Sequence, residues 1–178
     1  MRYLILAIVF LVAFCSVDAQ PLDGPSMTVA VAAEADGVHP GDTLRIAVTG
    51  KLDSRWHVNA HEPLDKYIVP TTLTLDPPEG ITVAATAYPE PREFTFAFSP
   101  DPVLVYENEF TIGVVLTIAQ TVGEGNYSLS GTLRYQACDD RQCMPPATVS
   151  VTVPVKVVAA DAPIARMNEA LFSTISFD

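Results

Sequence analysis

Thr71-Thr72-Leu73-Thr74-Leu75-Asp76-Pro77-Pro78-Glu79-Gly80-Ile81-Thr82-Val83-Ala84-Ala85-Thr86-Ala87 holds in one stretch the pattern that decides the fold. Threonine and leucine alternate up to Leu75, the period of a strand with one face on a core. Asp76 to Gly80 then breaks the run, because proline cannot donate to a ladder and Asp and Gly favour turns. A second β-rich run follows from Ile81 to Ala87. The same grammar extends in both directions. Upstream lie Met27–Ala35, Thr43–Leu52 and Trp56–Ala60, with Asp36-Gly37 and Pro40-Gly41 between the first two. Downstream lie Glu93–Phe98, Val103–Tyr106, Glu109–Ile118, Tyr127–Cys138 and Thr148–Val158. Short strands at this spacing, punctuated by 15 prolines, predict one all-β, immunoglobulin-like antiparallel sandwich over residues 27–160. Only the 161–178 tail reads otherwise: Ala162 to Ser173 predicts a short amphipathic helix with Ile164, Met167 and Leu171 on one side.

The amino terminus sets the compartment. Arg2, an apolar run from Tyr3 to Phe14 and Val17-Asp18-Ala19 form the layout of a secretory signal, expected to be cleaved near Ala19. The run is shorter than the roughly 20 residues a membrane span needs. Cys15 raises a lipoprotein reading, but Phe14 before it is bulkier than the small residue usual there. Residues 20–26 read as a linker to an exported domain with no direct membrane insertion. The balance of 10 Lys and Arg against 21 Asp and Glu, net −11, argues against nucleic acid and anionic membranes, both of which need basic patches.

Once the leader is gone, two cysteines remain, Cys138 and Cys143. A β run ends at Cys138, Asp139-Asp140-Arg141-Gln142 turns the chain, and Pro145-Pro146 stiffens the return. The cysteines thus stand at the feet of a short loop, where a disulfide is geometrically reasonable. Three readings of the pair stay open on these grounds: redox chemistry, a structural clip, or metal binding. The chain-entropy gain from so short a loop is only about 2 kcal/mol, and a domain of this size has an ample core without it. Arg141 favours a thiolate while Asp139 and Asp140 oppose it, so charge does not name the nucleophile.

Tyr135-Gln136-Ala137-Cys138 with Cys143-Met144-Pro145-Pro146 resembles the active hairpin of the amino-terminal periplasmic domain of the DsbD family of thiol:disulfide interchange proteins. Trp56-His57-Val58-Asn59-Ala60 and Pro70-Thr71-Thr72-Leu73 are also similar to sequences of that family, and the resemblance runs from Met27 to Val158. It implies a periplasmic module that relays electrons through a reversible Cys138–Cys143 disulfide between thioredoxin-like donor and acceptor proteins. Implied acceptors include disulfide isomerases and thioredoxin-like proteins of cytochrome c maturation. It implies a protein-disulfide reductase type of carrier without a cofactor, with Cys138 as the cysteine of mixed disulfides. It also implies an aromatic cap, for which Phe94 or Phe96 is the candidate. Two local departures stand out. The cysteine loop is one residue shorter than in well-known members, and His57 and Asn59 stand where the family places tyrosines facing the disulfide. No membrane domain or CxxC module follows, so a separate membrane electron carrier is the expected donor.

The bland readings are set beside these. The Phe94, Phe96, Phe98 alternation is equally the buried face of a strand. Tyr135 packs at a strand end, its hydroxyl within possible reach of the site. His57, His61, Met144 and the cysteines have ligand types that suit copper or zinc, but their spacing is not that of a metal site, and none is predicted. The rival function is a non-catalytic binding or assembly module whose disulfide only clips a loop.

Overall fold

In this computed structural model the structure describes residues 24–98 and 101–177, so the expected leader and its cleavage site lie outside the described residues. The strands are β1 (Thr28–Ala33), β2 (Thr43–Lys51), β3 (His57–Asn59), β4 (Thr72–Asp76), β5 (Ile81–Ala87), β6 (Arg92–Phe94), β7 (Val103–Glu107), β8 (Glu109–Ile118), β9 (Gly125–Tyr135), β10 (Ala137–Cys138) and β11 (Ala147–Val157). They form three antiparallel sheets ordered β1-β2-β8-β5, β11-β9-β4 and β10-β3-β7-β6. Alternation explains the layering. Leu44, Ile46 and Val48 of β2, Ile112, Val114 and Leu116 of β8, Leu129 and Leu133 of β9, and Val151, Val153 and Val155 of β11 all enter one hydrophobic cluster. Their neighbours along β9 and β11 face outward, which is the signature of an immunoglobulin-like sandwich.

The carboxy-terminal segment departs from its predicted helix. Only α1 (Glu169–Phe172) is helical, Met167 is exposed, and Phe172 is the buried residue. The chain before it runs extended along the end of β1: the Asp36 amide donates to the Ala165 carbonyl and the Met167 amide to the Glu34 carbonyl. Asn168, with left-handed backbone, marks the change into α1. The reason is competition. A dozen-residue helix is marginal in water, whereas a sheet edge offers unpaired backbone groups. Past α1, Ile175 and Phe177 lie over β8 where a side-chain carbon on Gly113 would crowd them. Gly113 pairs with Ala47 of β2, so two small residues make room for this strap on the outer face of the sheet.

Candidate redox site

The predicted Tyr127–Cys138 run is in fact two strands that belong to different sheets. β9 ends at Tyr135, Gln136 interrupts, and β10 pairs with β3. Gln136 holds this jog. Its side-chain amide donates to the Met144 carbonyl (3.0 Å), its side-chain oxygen accepts from Asn59 Nδ2 (3.2 Å), and its backbone oxygen accepts from the Asn59 amide (3.3 Å). Asn59 Nδ2 also donates to the Val69 carbonyl (3.0 Å). Asn59 is therefore a buried fastener between β3, the 61–70 loop and the hairpin.

Beyond the jog, Cys138 and Cys143 form a disulfide, with Cα atoms 4.0 Å apart. The hairpin is tied at both ends: the Met144 amide donates to the Ala137 carbonyl and the Asp139 amide to the Gln142 carbonyl. Inside the turn, the Asp139 carboxylate accepts from the Arg141 and Gln142 amides, both at 2.9 Å. These bonds, that of Arg141 foremost, hold its pKa below the ordinary carboxylate value.

The two cysteines differ in exposure. Cys138 is 1% exposed, whereas Cys143 is an exposed residue. Cys138 packs with Phe96 and Val105, and Phe94 and Val103 lie against that cluster. The aromatic rings continue from there. His57 and Phe94 have centroids 4.0 Å apart, Phe94 and Phe96 4.7 Å, and Phe96 and Phe98 5.2 Å, with Phe98 at the exposed end. Strand β6 stops at Phe94, so Phe96 leaves the sheet and turns its ring to the cysteine.

Strand register adds a residue that the sequence did not single out. Cys143, Cys138, His57 and Glu107 occupy one cross-strand row, as the partners Cys138↔Cys143, Cys138↔His57 and His57↔Glu107. Residues opposite one another in antiparallel strands present their side chains on the same face. His57 Nε2 lies 3.9 Å from Glu107 Oε1, and Arg92 Nη1 binds Glu107 Oε2 at 3.2 Å. The structure thus gathers Cys138, Cys143, His57, Phe94 and Phe96, with Asn59 behind them. Tyr135 is turned elsewhere: its hydroxyl donates to the Pro25 carbonyl (3.3 Å). His61 stacks on Tyr88 and its Nδ1 lies 2.9 Å from the Thr71 carbonyl, so it is committed away from the hairpin.

The family model for "Thiol:disulfide interchange protein DsbD, N-terminal" matches residues 26–155. The chain belongs to this family. The Cys138–Cys143 disulfide of this DsbD N-terminal family member lies within the matched residues, and family and disulfide together support, in general terms, a thiol–disulfide exchange module. Among solved structures, the N-terminal periplasmic domain of ScsB from Proteus mirabilis is similar at TM-score 0.50 and 16% identity, over 81% of this chain and 50% of that one. The reduced DsbD N-terminal domain of Neisseria meningitidis gives TM-score 0.45 and 16% identity, over 78% of this chain and 88% of that one. The complex of the DsbD and PilB N-terminal domains from Neisseria meningitidis gives TM-score 0.38 and 18% identity, over 76% and 87%. No protein of curated function matches the chain. Among the described residues no helix is long and apolar enough to cross a membrane.

Proposed function

We propose that this DsbD N-terminal family member is a periplasmic electron carrier whose Cys138–Cys143 disulfide is opened and re-formed by thioredoxin-like proteins. The observation that carries the reading is the asymmetry of the pair: one cysteine exposed at a hairpin foot, the other buried under aromatic rings. A structural clip has no use for one exposed cysteine, whereas exchange requires in-line access to one of the two. That asymmetry also favours Cys143 as the attacked cysteine. Cys138, expected from the resemblance to enter mixed disulfides, is covered, so the incoming thiolate meets Cys143. Its sulfur bonds to Cys143 Sγ, the Cys138–Cys143 bond breaks, and Cys138 leaves with the electron pair. A second partner thiolate then attacks its own sulfur in the mixed disulfide and releases Cys143 as a thiolate. Two protons complete the dithiol, and the partner departs as a disulfide. Phe94 and Phe96 act as the cap that shields Cys138 from solvent thiols between encounters.

The reading is tested by equilibrating the oxidised protein in graded glutathione buffers and labelling free thiols. A carrier gives a potential between about −270 and −180 mV. A value below about −300 mV marks an inert clip and replaces this reading with the binding-module one. In parallel, a thioredoxin-like protein that lacks its resolving cysteine, with its remaining sulfur activated as a mixed disulfide with thionitrobenzoate, couples to Cys138→Ser as the Cys143 thiolate attacks that sulfur and thionitrobenzoate leaves, and it does not couple to Cys143→Ser. The reverse pattern returns the attack to Cys138.

A further inference from the structure

His57 Nδ1 is, among the described residues, a buried side-chain nitrogen with no hydrogen-bond partner. Leaving such an atom unpaired is costly, so its position calls for a function or for a partner present in another state. The ring is otherwise well fixed. Phe94 and Phe96 pack on it, its backbone sits in β3 between β10 and β7, and Nε2 is turned to Glu107. Its cross-strand neighbour is Cys138. In the disulfide that sulfur is a weak acceptor, but when the bond opens it becomes an anion in an apolar cluster, where an unpaired charge is costly.

Resting on the exchange reading above, we infer that His57 is the proton donor to Cys138 when the disulfide opens. As the partner thiolate bonds to Cys143 Sγ, the electron pair of the broken bond leaves on Cys138 Sγ. The imidazolium passes its Nδ1 proton to that sulfur, giving a thiol and a neutral imidazole. In the reverse direction neutral His57 takes the proton as Cys138 attacks the mixed disulfide. Glu107, backed by Arg92, faces the other nitrogen, and its partial exposure gives a route for proton return from solvent. The charged groups facing His57 are thus Glu107 from β7 with Arg92 from β6, and the nascent Cys138 thiolate from β10. Phe94 and Phe96 supply no charge. A histidine suits this task because it exchanges a proton near neutral pH.

The test is the rate of reduction of the oxidised protein by dithiothreitol, divided by the thiolate concentration of the reagent, from about pH 5 to 8. In the native chain the normalised rate falls as pH rises and the imidazole loses its proton. His57→Phe and His57→Gln have no proton to give. Their profiles are flat, and at the acid end they are slower by about a hundredfold, the low end of general-acid effects. Glu107→Gln, a change at a half-exposed side chain, removes the carboxylate that faces Nε2 and lowers the normalised rate at the acid end of the profile. If the folded His57 variants keep the native profile, or Glu107→Gln leaves it unmoved, the inference is wrong while the exchange reading stands. If the native disulfide itself resists reduction throughout the glutathione titration, both are wrong.

Discussion

At the residue scale, the hairpin is shaped by Asp139 as much as by the disulfide. An exposed carboxylate that accepts two backbone amides forms an Asx turn, and it does so best when ionised. The sign follows from the lowered pKa in the folded state. The contribution is complete above the ordinary value of 3.8 and is lost as pH falls through the lower folded value. Amide exchange of Arg141 and Gln142 will therefore be slow relative to an open loop at neutral pH and lose its protection in acid. Asp139→Ala will abolish that protection at neutral pH and remove the acid dependence. If the two amides are equally protected in Asp139→Ala, the turn is held by the disulfide alone. The acidic residues here were legible in the sequence as turn formers, and so were the cysteines. Glu107 was not, because its place beside His57 comes from the pairing of β3 with β7, and pairing between distant strands leaves no local mark.

At the scale of elements, the decisive event is the transfer of the chain from one sheet to another at Gln136. The sequence reads as an unbroken β run through Cys138, since nothing in local propensity distinguishes a continuous strand from one that changes partners. What enforces the change is a set of hydrogen bonds from Gln136 to Asn59 and Met144, residues 77 and 8 positions away. The same blindness applies to the tail, where an amphipathic pattern over Ala162–Ser173 yields to backbone pairing with Glu34–Asp36, just past β1. Close packing of β4 on β9 carries its own prediction. A side-chain carbon at Gly131 would fall on the Thr74 carbonyl oxygen and on Leu75, which are backbone and core rather than a yielding side chain. Gly131→Ala will force β4 away from β9 and cost about 1–3 kcal/mol, the usual penalty of overpacking. Urea denaturation measures it. A Gly131→Ala protein as stable as the native one would show that the two strands have room to spare.

At the scale of the whole molecule, the sandwich was legible because alternation and proline-rich turns constrain a chain to antiparallel β layers whatever their order. How the outer face of β2 and β8 is finished was not legible. Ala47 and Gly113 read as weak strand residues until Ile175 and Phe177 are seen to fill the space above them. Phe177 also stacks with Phe172 at 6.4 Å and carries the Arg45 guanidinium 5.0 Å over its ring, so the strap is anchored by apolar and cation–π contacts together. We therefore propose that residues 161–178 are integral to the domain rather than a tail attached to it. Half-burying Ile175 and Phe177 is worth about 2 kcal/mol, taking roughly half of the 1.5–3 kcal/mol for full burial of each side chain. Deleting residues 174–178 will accordingly lower the thermal midpoint by about 4–8 °C for a domain of this size. The strap covers β2 and β8, whereas the cysteines stand on the β10-β3-β7-β6 sheet. The truncated protein will thus keep its reduction potential and its exchange rate at temperatures well below its midpoint. Differential scanning calorimetry and the glutathione titration decide together. An unchanged midpoint would return the segment to the status of a tail, and a shifted potential would mean that the strap braces the redox sheet through the common core.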